Sequence, residues 1–108
     1  MESLIDEVIW PALYNRVEAF GALKVQASWA GLYEYNTVDQ NAIIGWNPDL
    51  PNVVHLNGFS GHGLQQAPAA GRAVAELIEH GRFVSLDLSR FAFDRVLQNR
   101  PLLETGIV

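Results

Sequence analysis

Val53-Val54-His55-Leu56-Asn57-Gly58-Phe59-Ser60-Gly61-His62-Gly63-Leu64-Gln65-Gln66 holds the change of hydrophobic period on which the fold turns. The β-branched run Val53–Leu56 predicts a brief strand. From Leu64 to His80, Ala67, Ala70, Val74, Leu77 and Ile78 recur at helical spacing, and Gly81 supplies a C-terminal stop. Between strand and helix lies Gly58-Phe59-Ser60-Gly61-His62-Gly63, with three glycines in six residues. Glycine lets the backbone come close to a flat or phosphorylated ligand. The start of a helix offers unpaired N–H groups and the positive end of its dipole, so the junction favours negative charge.

Residue types alone leave two readings of this junction open. It can be a flexible connection and nothing more, although four small residues in six (Gly58, Ser60, Gly61, Gly63) exceed what a plain turn needs. It can also be a nucleotide-phosphate turn within a βαβ unit. Gly61-His62-Gly63-Leu64-Gln65-Gln66 begins like G-x-G-x-x-G, and Asp87 ends the next extended segment, where a ribose-binding acid would sit. Gln66 occupies the place of the third glycine, which that fingerprint needs for close helix–strand packing.

Upstream, Leu23, Val25, Ala27, Trp29, Tyr33 and Tyr35 alternate with Lys24, Gln26, Ser28 and Glu34, which predicts a long strand with one polar face. Gly31 replaces a side chain in the apolar row, a mark of close approach by a ligand or another backbone. A turn over Asn36–Asn41 precedes a short strand, Ala42–Trp46, and Asn47–Asn52 reads as a loop. Near the start, Ser3 and Asp6 form a capping-box pattern, and Ile5, Ile9, Leu13 and Val17 predict two helical pieces, 3–10 and 11–18, with a kink or restart at Pro11. Downstream, Phe83–Leu88 predicts a fourth strand or extended segment, Ser89 a cap for a short helix through Leu97, and Pro101 onward a loose tail. The class is α+β, a mixed α/β chain.

The chain has 108 residues, 49% hydrophobic and 18% charged, enough for one cored domain. Its net charge of -5 argues against nucleic acid or an anionic membrane surface as the main partner. There is no cysteine, which excludes disulfides, thiolate catalysis and cysteinyl cofactor attachment. No apolar run reaches membrane-spanning length, and Met1–Trp10 carries acids where a targeting segment needs bases. His55, His62 and His80 lack metal-ligand spacing, so no metal is expected. Trp10, Trp29 and Trp46 read as packing residues.

Gly58–Pro68 with Gly71-Arg72-Ala73-Val74-Ala75-Glu76-Leu77 resembles the C-terminal flavin loop and helix of D-amino-acid-oxidase-like (DAO-like) FAD-dependent oxidoreductases. Trp29-Ala30-Gly31-Leu32-Tyr33 through Asp39 to Ile43-Ile44-Gly45 is similar to the strand pair that precedes that loop. That superfamily includes glycine, sarcosine and dimethylglycine oxidases. The chain as a whole is most similar to the FAD-dependent oxidoreductase domain-containing branch, whose mitochondrial members assist respiratory complex I assembly. The resemblance implies the C-terminal part of an FAD/NAD(P)-binding fold with an incomplete sheet. Residues 1–22 would end a substrate-domain helix, 23–100 would belong to the FAD-binding domain, and 101–108 would be a tail.

By the same likeness, Gly31, Leu32, Gly58, Phe59, Ser60, Gly61, His62, Gly63, Leu64 and Gln65 are the cofactor-side residues. The amides after Gly58 would face the flavin's pyrimidine carbonyl edge and stabilise negative charge there. FAD would be held non-covalently, because Gly31 stands where some relatives carry the tethering cysteine. Tyr33 occupies the position of a substrate-carboxylate arginine, and Gln65 that of a lysine beside the flavin. The implied activity is oxidation of an amine or amino-acid-like donor, with the chain inactive alone because the G-x-G-x-x-G half is not in it. The implied partner is a complementary chain carrying that half, or a second copy through an exposed sheet. The rival reading is a non-catalytic assembly module. The compartment would be cytoplasmic in a bacterium and mitochondrial in a eukaryote.

Overall fold

The computed structural model describes residues 4–106, which divide between Gly31 and Leu32 into two compact units. Ser3, and with it the capping box, lies outside the described residues. In the first unit Ile5–Ile9 forms a π-helical turn that runs directly into helix α1, Trp10–Arg16. The expected restart at Pro11 takes the form of a change from the π turn to α1, with no gap between the two. Proline sits within the first turn of α1, where its missing N–H is harmless, and the Trp10 N–H reaches back to the Ile5 carbonyl across the wider turn. A 3₁₀ turn, Glu18–Ala22, follows and is tied to α1 by the Trp10 indole N–H, which donates to the Phe20 carbonyl at 3.0 Å. Tyr14 closes over Gly21, where a Cβ would come within 2.9 Å of its ring. No described residue of this unit is buried; Ile5, Trp10 and Phe20 are half-buried.

The long strand expected from Leu23 to Tyr35 is absent: the segment forms no strand ladder. Alternation specifies which side chains share a face, but a strand also needs a neighbour for its backbone groups, and the described residues provide none.

The second unit is built on a two-stranded antiparallel sheet. Strand β1, Ile43–Trp46, pairs with β2, Val54–Asn57, in the register Ile43–Asn57, Ile44–Leu56, Gly45–His55 and Trp46–Val54. The Asn47 side chain shapes the connecting loop, its Oδ1 accepting from the Asp49 and Leu50 amides. Helix α2, Gly63–His80, packs on this hairpin and ends at Gly81 in the left-handed region, φ 70°. Ala70, Ala73 and Leu77 are its buried residues, while Ala67 and Ile78, expected on the apolar face, are exposed. A two-stranded sheet covers only a narrow stripe of the helix. The core joins Ala42, Ile44 and Ala70, with Phe59, Val74, Phe83, Leu88 and Phe91 packed around them.

Three further expectations are corrected. Phe83–Leu88 is not a strand: the Glu76 carboxylate accepts from the Val84 and Ser85 amides at 2.9 and 3.0 Å, so a side chain takes the place of a strand partner. Ser89 caps nothing; the Asp87 side chain instead accepts from the Ser89 amide at the start of the 3₁₀ turn Ser89–Phe91, before the short helix α3, Asp94–Leu97. Pro101 onward is not loose up to Glu104. The Leu102 amide donates to Asp39 Oδ2, the Leu102 carbonyl accepts from Asn41 Nδ2, and the Glu104 amide donates to the Asp39 carbonyl. Trp29 and Trp46 are exposed, so they do not pack in a core of the described residues. The architecture is α+β, with five helical segments besides α2 and one small sheet among the described residues.

Candidate functional site

β2 delivers the chain into the glycine loop, and α2 carries it away. In between, the His62 N–H donates to the Phe59 carbonyl at 3.0 Å, closing a turn whose central residues Ser60 and Gly61 have φ of 49° and 88°. Two successive positive φ values are the signature of a type I′ turn. Glycine adopts this freely at 61, where a Cβ would also press on the Tyr33 ring at 3.3 Å. Ser60 is the unusual member: a residue with a side chain in the left-handed region, and 1% exposed. Its hydroxyl offsets the strain with two bonds, accepting from the Asn36 amide at 3.0 Å and donating to the Gly58 carbonyl at 3.3 Å.

A second tether lies next to it. The Phe59 amide donates to Glu34 Oε1 at 3.2 Å, so residues 34 and 36 hold the loop from one side. Gly58, at φ 74°, leans on Asn36, whose Cβ is 3.4 Å from the position a Gly58 Cβ would take.

The start of α2 is left open. The amides of Gly63, Leu64 and Gln65 have no acceptor among the described residues, and His62, the N-cap, makes no side-chain cap bond; the first helical bond across the junction is Gln66 N–H to the His62 carbonyl. Leu64 is 92% exposed. Gln65 also borders a hollow of about 300 Å³ that it lines with Tyr33, Ser60, Gly61, His62 and Gly106. Unpaired N–H groups at a helix start, the positive end of its dipole and a hollow with no carboxylate side chain among its described lining residues suit a carbonyl-rich or anionic ligand edge.

Ser60, Gly61, His62 and Gln65 are thus brought together with Tyr33, while Gly58 and Phe59 form the approach to the turn. Phe59 faces the core side, where it lines a separate, mostly apolar hollow of about 250 Å³ with Ile44, Ala70, Leu86, Leu88 and Phe91. Leu32 is fully exposed, and no atom lies within 4 Å of a Cβ placed on Gly31. Gly31 belongs to the first unit and the loop to the second.

Sequence reading missed the group that stands behind the loop. Asp39 is 0% and Arg95 6% exposed, and they form a bidentate ion pair, Arg95 Nε to Asp39 Oδ2 at 2.6 Å and Nη2 to Oδ1 at 2.9 Å. Arg95 also donates to the carbonyls of Phe91, Ala92 and Asn41. Asp39 accepts in addition from Asn36 Nδ2 and the Leu102 amide. Burial pushes the Asp39 carboxyl upward, but the bonds from Arg95, Leu102 and Asn41 outweigh it and hold the group below its ordinary value. Asn-rich spacing around Asp39 was readable as a turn. Nothing local to Arg95, 56 positions away, points to it.

The family model described as DAO, FAD dependent oxidoreductase, matches residues 2–77. The chain is 56% identical over 102 residues to FAD-dependent oxidoreductase domain-containing protein 1 of Xenopus laevis, covering 94% of this chain and 20% of that protein. It is 48% identical over 100 residues to the Drosophila melanogaster homolog, covering 93% of the chain and 19% of the relative. Monomeric sarcosine oxidase of Bacillus sp. is 34% identical over 71 residues, 66% of the chain and 18% of that enzyme. The chain thus spans about a fifth of the length of these relatives. No solved structure gives a significant match. With the family model covering more than half of its residues, the chain belongs to the DAO family of FAD-dependent oxidoreductases.

Proposed function

We propose that this chain supplies the flavin-ring side of an FAD site in an oxidoreductase acting on an amine or amino-acid-like donor. The observation that carries the reading is the set of three amides, Gly63, Leu64 and Gln65, without acceptors among the described residues, at a strand–glycine loop–helix junction where Gln65 borders a hollow. When bound, FAD supplies the redox chemistry. The chain's own part is to bind and orient: Gly63 to Gln65 present N–H dipoles to electron-rich ring atoms, and Gly58 and Gly61 keep side chains out of the way. Gly31 offers no side chain for a covalent tether.

The 108 residues contain no G-x-G-x-x-G. In this reading the ADP side comes from sequence outside them, and turnover needs that sequence. Residues 23–100 act as the C-terminal part of the FAD-binding domain. A second reading, an association module, is favoured by the exposure of Trp29 at 84% in the first unit and Leu32 at 106% in the second. Among the described residues no helix is long and apolar enough to cross a membrane.

Titrating FAD into the ¹⁵N-labelled chain and following amide resonances detects even millimolar binding. The resonances of Gly61–Gln65 are expected to move, with those of Val74–His80 unchanged. A loop that stays still at millimolar FAD rejects the cofactor reading and leaves association as the function to test.

A further inference from the structure

The loop's geometry depends on a residue that touches none of its open amides. Asn36 stands between the buried ion pair and the glycine loop, and its bonds run in both directions. Its side-chain amide donates to Asp39 Oδ1 at 2.9 Å and to the Asn41 carbonyl at 2.6 Å. Its Oδ1 accepts from the Val38 amide at 3.0 Å, and its carbonyl accepts from the Gln40 amide at 2.9 Å. With both ends of the side chain held, its backbone N–H is fixed in direction and donates to Ser60 Oγ, 24 positions away.

Ser60 is where direction matters. It is the strained residue of the turn, and its φ determines where Gly61 and the following amides point. Without the bond from Asn36, the Ser60 hydroxyl keeps only its longer bond to the Gly58 carbonyl, at 3.3 Å. We infer that Asn36 is a positioning residue for the flavin loop, and that the buried Asp39–Arg95 pair acts on the loop through it. This rests on the reading of Gly58–Gln65 as the flavin loop, but the positioning itself is a property of the chain without cofactor. Arg95 and Asn41 continue to satisfy Asp39 when the Asn36 side chain is removed, so the variant leaves the ion pair in place.

The experiment compares ¹⁵N-labelled wild type with Asn36→Ala, Ser60→Ala and Leu77→Ala, each with and without FAD. Asn36→Ala and Ser60→Ala are expected to shift or broaden the Gly58–Gln65 amides and to raise the FAD concentration at half-displacement about tenfold. Leu77→Ala removes core packing elsewhere and is expected to leave the loop amides in place despite its cost in stability. Loop amides that do not move in Asn36→Ala overturn the inference, as does an equal movement in Leu77→Ala. Should Asn36→Ala not fold, Ser60→Ala decides alone, since it removes the acceptor of the Asn36 amide together with the longer bond to the Gly58 carbonyl. Failure of FAD to bind the wild type rejects the functional reading, while the cofactor-free amides still judge Asn36.

Discussion

The two units carry apolar residues in comparable patterns and treat them differently. In the first, Leu4, Val8, Leu13 and Trp29 recur at helical or strand spacing, yet each is exposed. In the second, Ala42, Ile44, Ala70, Ala73 and Leu77 are buried, and they share the interior with a charged pair. Hydrophobic spacing states a demand for cover; whether the cover is present depends on residues far along the chain. The first unit is held mainly by local contacts such as Trp10 to Phe20 and Tyr14 over Gly21. The second is fastened by long-range bonds, of which Arg95 to Asp39 spans 56 positions and Leu102 to Asp39 spans 63.

Breaking the pair should therefore give the largest effect anywhere in the chain. Arg95→Met leaves Asp39 buried without its counter-ion and frees three carbonyls, and removal of one partner of a buried pair costs about 3–5 kcal/mol. Urea denaturation followed by tryptophan fluorescence measures it. A loss under about 1 kcal/mol would show that water or local rearrangement replaces the guanidinium, and that the second unit owes its order to the apolar core alone. Replacing both partners by apolar residues is not expected to be neutral here, because Asp39 also accepts from the Leu102 amide and Asn36 Nδ2.

The same contrast explains what was legible in the sequence. The strand–loop–helix unit was readable because its signals are local: β-branched residues, clustered glycines, then a helical period closed by Gly81. The start of α2 at Gly63 and its end at His80 follow from those residues. Strand character at Leu23–Tyr35 and Phe83–Leu88 was misread because pairing is a property of two segments. The Asp39–Arg95–Asn36 group was invisible for the same reason. Asp39 sits in a turn and Arg95 in a four-residue helix, and neither position has a period that predicts burial.

A smaller effect tests the second unit's other fastening. Hydrogen bonds from the Ser85 side chain and backbone, then from the Val84 amide, pull the Glu76 carboxyl down to about 2 from its model-compound value of 4.5. A depressed carboxylate stabilises the fold above its unfolded pKa, and that contribution is lost as pH falls through the folded one. The contribution of Glu76 is thus complete above pH 4.5 and fades towards pH 2. Asp39, also held below its usual value, adds acid sensitivity of the same sign. Thermal melts from pH 6 downward are expected to show Glu76→Gln less stable than wild type near neutrality, with the difference shrinking as pH falls into this window. A constant difference would mean that Glu76 holds Phe83–Leu88 by shape rather than by charge.

The smallest expected effect lies in the first unit, and it sharpens the comparison most. Trp29 is 84% exposed, so Trp29→Ser removes a large apolar surface that the folded chain does not bury. By packing alone the change should fall within about 0.5 kcal/mol, as surface substitutions do. If the association reading holds, Trp29 instead contributes to burial between chains, and the same substitution weakens self-association at unchanged unimolecular stability. Sedimentation velocity over a concentration series, run beside the urea titration, separates the two. A stability loss of 2 kcal/mol or so with no change in association would show that Trp29 is covered within one chain in solution, and the contrast between the units would narrow to the ion pair.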